Sequence, residues 1–266
     1  MKAYIQIKEN GDWLNENCYS SAEGFHRMGY DVVKFKLHQT QPEKFNIDDI
    51  FSDFDRTCDV SHGGIMAMRN LFDKFGTTSP EIHNPHEYLL KFTGRTFAEK
   101  KLKDIVSHFS DNHSGTTNPV FIKPLTEHKL FTGFVVNQFS DLIKISHLDG
   151  DVDILQSSVS HFISEYRIFI DRQDILGCKN YTGDYRVLPD FFFINRAIQE
   201  YGKVTTNTPL AYSLDFAITN AGETQLIEIN DGFALGAYGL NPIYYCKMIR
   251  DRWHQIINTT KLGKSI

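Results

Sequence analysis

Late in the chain the sequence reads Tyr212-Ser-Leu-Asp-Phe-Ala-Ile-Thr219, then a turn, then Gln225-Leu-Ile-Glu-Ile-Asn230, and no other segment restricts the fold so tightly. Each half alternates as a β-strand does, with successive side chains on opposite faces. Ser213, Asp215, Ala217 and Thr219 share one face of the first strand, and Leu226, Glu228 and Asn230 share one face of the second. A two- or four-residue turn centred between Ala221 and Gly222 sets Asp215 opposite Glu228, with Asn230 one step further along. Directly opposed Cβ atoms lie about 4.5–5.5 Å apart, where like charges repel. A cation relieves that repulsion. Three oxygen donors without sulfur or imidazole suit Mg²⁺ or Mn²⁺, and Mg²⁺ keeps part of its shell for phosphate and water. The competing reading is a solvated hairpin face, which a three- or five-residue turn would favour by breaking the register.

Upstream, Asn118-Pro-Val-Phe-Ile-Lys-Pro124 is a short apolar strand with Lys123 near its end, on the same face as Phe121. A lysine held there needs a partner such as phosphate, or else snorkels to water. Glu165-Tyr-Arg-Ile-Phe-Ile-Asp171 puts Glu165, Arg167 and Phe169 on one face. The Arg167 fork suits phosphate or carboxylate, and its bland alternative is a salt bridge to Glu165 or to a neighbouring strand. Lys129 and Lys179 are two further candidate cations whose direction stays open. Gly232, Gly236 and Gly239 permit close backbone approach to a ligand. There is neither a Gly-x-x-x-x-Gly-Lys-Ser/Thr loop nor a Gly-x-Gly-x-x-Gly turn, so a bound nucleotide needs another cradle.

Around these segments the pattern predicts strands at 3–7, 31–37 and 58–61, with helices at 16–28 and from His62 to Phe75. That is the outline of a small α/β domain over residues 1–85, ending in the Thr-, Ser- and Pro-rich stretch before Pro85. A helical region follows over 87–109, with Leu102, Ile105, Val106 and Phe109 at helical spacing. Strands are expected at 120–123, 131–137, 142–146, 153–155, 165–171, 175–179, 211–219 and 224–230. Helices are expected at 190–201, capped by Asp190 and stopped at Gly202, and at 242–257, capped by Asn241.

Composition excludes several classes. The net charge of −5 and the lack of a dense basic run speak against nucleic acid as the main partner. No apolar run reaches the ~18 residues a membrane span requires. The N-terminus shows no signal-peptide pattern, and four scattered cysteines read as reduced thiols, so a cytoplasmic location is expected. His83 and His86 flank Pro85 in a loop and are not read as a metal site.

In order, Phe121-Ile-Lys-Pro124, Glu165-Tyr-Arg-Ile-Phe-Ile170, Leu214-Asp-Phe216 and Leu226-Ile-Glu-Ile-Asn-Asp-Gly-Phe-Ala-Leu-Gly236 resemble an ATP-grasp domain over roughly residues 90–250. The resemblance is to the divergent clade marked by one arginine and two lysines, which includes the eukaryotic assembly chaperone for a translation initiation factor. It implies an α+β fold with two lobes that grip ATP, occupying 86–266 and meeting near 156–160, behind the N-terminal α/β domain. By that resemblance Lys123 contacts ATP phosphates, with Lys129 or Lys179 as the second lysine. Asp215, Glu228 and Asn230 hold Mg²⁺, and Arg167 faces the γ-phosphate or the acceptor carboxylate. Gln156, Ser157 and Val159 fall where the inter-lobe hinge meets adenine, although many relatives have an acidic residue where Gln156 stands. The implied activity is ATP-dependent joining of a carboxylate to an amine through an acyl phosphate, with a peptide or protein among the candidate substrates. The alternative is an ATP-dependent assembly chaperone or binding module.

Overall fold

The computed structural model describes residues 1–41, 44–47, 49–81, 83–111, 118–125, 130–204 and 208–259. Strand β1 (Lys2–Gln6) leads into helix α1 (Glu16–Arg27) and returns as β2 (Asp31–Phe35). Asn15 caps α1 by accepting from the Cys18 N–H, and Gly29 (φ +84°) turns the chain out of it. A short hairpin, β3 (Leu37–Gln41) and β4 (Lys44–Ile47), intervenes before β5 (Val60–His62) and α2 (Ile65–Lys74). The parallel order β2-β1-β5 confirms the βαβ outline, and the β3–β4 hairpin is an addition to it. Gly63 lies between β5 and α2, where a Cβ would come 2.6 Å from the Gln6 side chain.

The region expected to be helical over 87–109 is divided. Helix α3 (Pro85–Tyr88) and a 3₁₀ turn at Leu90–Phe92 precede a strand, β6 (Phe97–Lys101), and only then α4 (Leu102–Asp111). Phe97-Ala-Glu-Lys-Lys lacks alternation and is a strand because β9 (Asp153–Ser158) offers it a ladder. Strands β7 (Val120–Pro124) and β8 (Phe134–Val136) complete an antiparallel sheet of order β6-β9-β7-β8. The strand expected at 142–146 is instead a 3₁₀ segment, Phe139–Ile145, with a Gln138/Asp141 capping box. Leu142 and Ile145 are its buried residues, at a spacing that matches three residues per turn rather than the period of two.

The larger sheet is built from β10 (Phe162–Asp171), β11 (Asp174–Gly183), β12 (Ala211–Thr219) and β13 (Thr224–Asp231), antiparallel in the order β11-β10-β12-β13. Helix α5 (Phe191–Val204) runs past Gly202, and Asp190 caps its start through the Phe192 and Phe193 N–H groups. Ile194, Ala197, Ile198 and Tyr201 of α5 cover one face of this sheet, packing on Ile168, Leu214, Phe216 and Ile229. Alternation therefore sends Arg167, Asp215 and their neighbours to the other face.

Helix α6 (Pro242–Ile257), capped by Asn241, ties the two ends of the chain together. Its Tyr245, Cys246, Met248 and Trp253 share one core with Tyr4, Phe25, Met68 and Phe72 of the N-terminal segment and with Phe169 of β10. The contact of α1 with α6 is so close that a Cβ on Gly24 would lie 2.3 Å from the Pro242 carbonyl and 2.5 Å from Cys246 Sγ. Gly-to-Ala inside a helix ordinarily stabilises by ~0.5–1 kcal/mol. Here overpacking reverses the sign, at a cost of about 1–3 kcal/mol. Gly24→Ala is thus expected to lower the melting temperature in a thermal denaturation scan, and an unchanged or raised value would contradict this packing.

Candidate functional site

The hairpin reaches the expected pairing by an unexpected route. Thr219 N–H bonds to the Glu223 carbonyl at 2.9 Å, which leaves a three-residue turn, Asn220-Ala221-Gly222, with Gly222 at φ +83°. Such a turn alone would misalign the carboxylates. A bulge at Ile227 restores the register, since Phe216 pairs with Leu226 while Asp215 pairs with Glu228 and Ser213 with Asn230. The two irregularities cancel.

Across the sheet, Lys179 pairs with Arg167, Arg167 with Asp215 and Asp215 with Glu228, so four charges form one row on the face away from α5. Arg167 is 7% exposed and Asp215 1%, and they form a bidentate pair, Nε to Oδ1 at 2.8 Å and Nη2 to Oδ2 at 2.6 Å. The neighbouring-strand partner foreseen as the bland role of Arg167 is therefore Asp215 itself. Asn230 Nδ2 bridges the two carboxylates, 3.4 Å from Asp215 Oδ2 and 3.2 Å from Glu228 Oε2. Two carboxylates and a side-chain amide converge here, a residue set that fits a hard divalent cation. The Asn230 amide can turn its oxygen inward to serve one.

Burial pushes the Asp215 carboxyl up to about 6, and Arg167 offsets only part of that. Burial also opposes the Arg167 charge, but the Asp215 hydrogen bonds and charge outweigh it and hold the guanidinium firmly protonated. Lys123 is lowered by burial, with Glu228 as the main opposing charge.

Lys123 and Glu228 line a cavity of about 490 Å³ between the two antiparallel sheets. Phe121 shares that lining, as the common face with Lys123 requires, and so do Ser157 and Val159. Gln156 is not in the lining, and its backbone pairs with Ala98 and Ile122. Lys129 lies outside the described residues. A second cavity, of about 380 Å³, lies between the N-terminal segment and the hairpin, bordered by Asn17, His62, Glu81, Asn230 and Tyr238. The carboxylate hairpin touches both, through Glu228 on one side and Asn230 on the other.

Three residues of this site escaped the sequence reading. Arg95 donates from Nη2 to the Leu226 and Ile227 carbonyls at 3.1 and 3.4 Å, clasping the bulge, and it also lines the larger cavity. Tyr181 lines the same cavity, and Tyr238 lies over Arg167. None had a local signal, because each acts across long sequence separations. Two of the loop glycines meet protein rather than ligand. A Cβ on Gly232 would lie 2.4 Å from the Ala211 carbonyl, and one on Gly236 3.2 Å from the Tyr238 ring. His86, Glu87 and Glu99 also bring ligand atoms within 4.8 Å of one another. However, His86 Nδ1 is buried without an acceptor, whereas a metal-bound histidine ordinarily has one.

A family model described as "ATP-grasp domain, R2K clade family 2" matches residues 92–248, more than half of the chain. The chain belongs to that family. Solved structures agree on the ATP-grasp fold, an α+β arrangement of helices with antiparallel sheets. A RimK-domain ATP-grasp protein from Sphaerobacter thermophilus matches with a TM-score of 0.55 at 14% identity, over 94% of this chain and 99% of that one. D-alanine–D-alanine ligase from Bacillus anthracis gives 0.55 at 13%, over 96% and 97%. The macrocyclase MdnC from Microcystis aeruginosa, bound with a precursor peptide, gives 0.50 at 12%, over 97% and 100%. A comparison with curated protein sequences finds no match. Among the described residues no helix is long and apolar enough to cross a membrane.

The raised Asp215 carboxyl makes a signed prediction. Its folded value, about 6, exceeds its ordinary 3.8, so the folded state holds the proton more tightly. Stability from this group is therefore present below about pH 4 and lost as pH rises to about 6. In chemical denaturation, wild type should lose ground relative to Asp215→Asn across that window and keep a constant gap above it. A gap that moves the other way would mean that the ion pair, not burial, governs Asp215.

Proposed function

We propose that the chain is a Mg-ATP-dependent ligase that joins a carboxylate to an amine, with ATP in the larger cavity and the acceptor in the smaller. The supporting observation is the carboxylate hairpin at their border, where Glu228 lines one cavity and Asn230 the other. Asp215, Glu228 and Asn230 would hold Mg²⁺, which neutralises phosphate charge when bound. Lys123 would hold the phosphates from the small sheet, and Ser157 and Val159 the adenine end. Gln156 stays a hinge residue by position. Arg167 and Lys179 would stand by the transferring group, with Lys129 a second phosphate ligand by resemblance only.

In the reaction, an acceptor carboxylate oxygen attacks the γ-phosphorus, and the bond to the bridging oxygen breaks to release ADP. The amine nitrogen then attacks the acyl carbon, phosphate leaves, and the amine proton is lost to solvent or phosphate. No protein nucleophile is required. Positioning and charge neutralisation supply the catalysis. A peptide or protein acceptor accords with a cavity bounded by exposed Glu81 and Tyr238, and with the precursor peptide bound to MdnC. Cytoplasmic location belongs to this reading, since all four cysteines are free thiols. One observation favours the assembly-chaperone or binding-module alternative. Arg167 is turned onto Asp215, which keeps its strongest donors from a substrate.

Two experiments test these assignments. Lys123→Ala should weaken Mg-ATP about 10- to 150-fold in calorimetry while leaving adenosine nearly unchanged, since only ATP presents the charge. Equal losses would indicate a misfolded lobe. Arg167→Lys keeps the charge but not the fork, and should cut acceptor-stimulated ADP release by about 10²–10³ with a far smaller change in ATP affinity. A wild-type protein that binds Mg-ATP yet yields neither ADP nor a modified product across a broad acceptor screen would favour the binding module.

A further inference from the structure

Arg167 is held along one edge by the two Asp215 hydrogen bonds, which leave its guanidinium only a hinge motion out of their common plane. The plane is fixed by an aromatic face. The Arg167 Cζ atom lies 4.7 Å from the Tyr238 ring centroid, inside the range for a cation–π contact. The same ring leans on Tyr181, with centroids 5.2 Å apart and planes 31° from parallel. Tyr181 lines the larger cavity and Tyr238 the smaller, so the two rings span their common border, with the guanidinium against the Tyr238 face.

The segment that carries Tyr238 is anchored for this task. On one side, the Ala237 N–H bonds to Asn17 Oδ1 at 2.9 Å, tying it to the start of α1. On the other, Leu240 fills the space above Gly177, where a Cβ would lie 2.5 Å from Leu240 Cδ1. Gly236 leaves room for the ring itself. Tyr238 also has φ +43°, a left-handed backbone that costs a side-chain-bearing residue free energy and that Asn tolerates far better than Tyr. Half of the Tyr238 surface (50%) remains exposed, so burial does not account for a tyrosine here. A strained backbone, a large exposed ring and a guanidinium beneath it are accounted for together if the ring's task is the arginine.

We propose that Tyr238 is a positioning residue. Its ring holds the Arg167 guanidinium plane so that the donors not used by Asp215 point along the border between the cavities, toward the terminal phosphate of a bound nucleoside triphosphate. The proposal rests on the nucleotide reading of the larger cavity. Tyr238 touches neither nucleotide nor metal in this scheme and acts on them only through Arg167. The phenol oxygen is dispensable and the ring is not.

The test compares wild type with Tyr238→Phe, which keeps the ring, and Tyr238→Asn, which removes it while suiting the left-handed backbone. Two readouts are taken. One is the Arg167 Nε–H resonance in the ligand-free protein, assigned by its loss in Arg167→Lys. The other is the ratio of Mg-ADP to Mg-ATP dissociation constants from calorimetry. Tyr238→Asn should melt no lower than wild type, yet move the Nε–H resonance and reduce the preference for Mg-ATP about 2- to 30-fold, the range of a cation–π contact. Tyr238→Phe should restore both. A wild-type resonance and a wild-type preference in Tyr238→Asn would overturn the proposal, as would a loss in Tyr238→Phe equal to that in Tyr238→Asn. If wild type binds neither nucleotide, the nucleotide reading fails by itself. The resonance then decides alone, because a signal that ignores the ring's removal shows that Tyr238 does not hold Arg167.

Discussion

The buried pair of Arg167 and Asp215 is the interaction on which the rest of the site depends. Both side chains project from adjacent central strands of the larger sheet, where water screens them little. Taking two charges out of water costs several kcal/mol per ion, and a bidentate geometry is what allows such a pair to persist. It keeps Asp215 ionised near neutrality and brings that carboxylate to Glu228 and Asn230 at the cleft. The pair also gives Arg167 a fixed edge on which an aromatic ring can act. Removing one partner would leave the other buried and uncompensated, so changes at this pair affect the sheet and the chemistry together.

The carboxylate arrangement was legible because strand alternation is a strong constraint, and it puts Asp215, Glu228 and Asn230 on shared faces of two largely apolar strands. The route to it was not legible. A three-residue turn and a bulge at Ile227 each shift the ladder by one, and only their sum returns Asp215 to Glu228. Arg95, on a loop more than a hundred residues away in sequence, satisfies the carbonyls that the bulge exposes. No local pattern announces that partnership. Propensity also misled in the small lobe. There β6 owes its conformation to β9, and Leu142 and Ile145 follow a 3₁₀ rather than a strand period.

The core of the N-terminal segment continues into α6. Trp253 stacks on Phe72, Tyr245 packs edge-on against His62, and Gly24 permits the close approach of α1. This shared core holds the wall of the smaller cavity in place against the hairpin. Burial lowers the His62 ring to about 4, so the imidazole is neutral there at physiological pH, and it bonds to Ser21 and Tyr245 rather than to a ligand. The floor of that cavity is therefore structural, and Asn230 of the hairpin borders it.

The central claim is that Glu228, backed by Asp215, Arg167 and Lys179 along its row, is the polar wall of a Mg-ATP site. A crystal structure of the protein with Mg²⁺ and a non-hydrolysable ATP analogue tests it most directly. The account predicts the phosphates between Lys123 and the hairpin, with a metal about 2.0–2.1 Å from oxygens of Glu228 and of Asp215 or Asn230. A nucleotide seated elsewhere, or phosphates in the cleft with the metal held by none of these three residues, would contradict it.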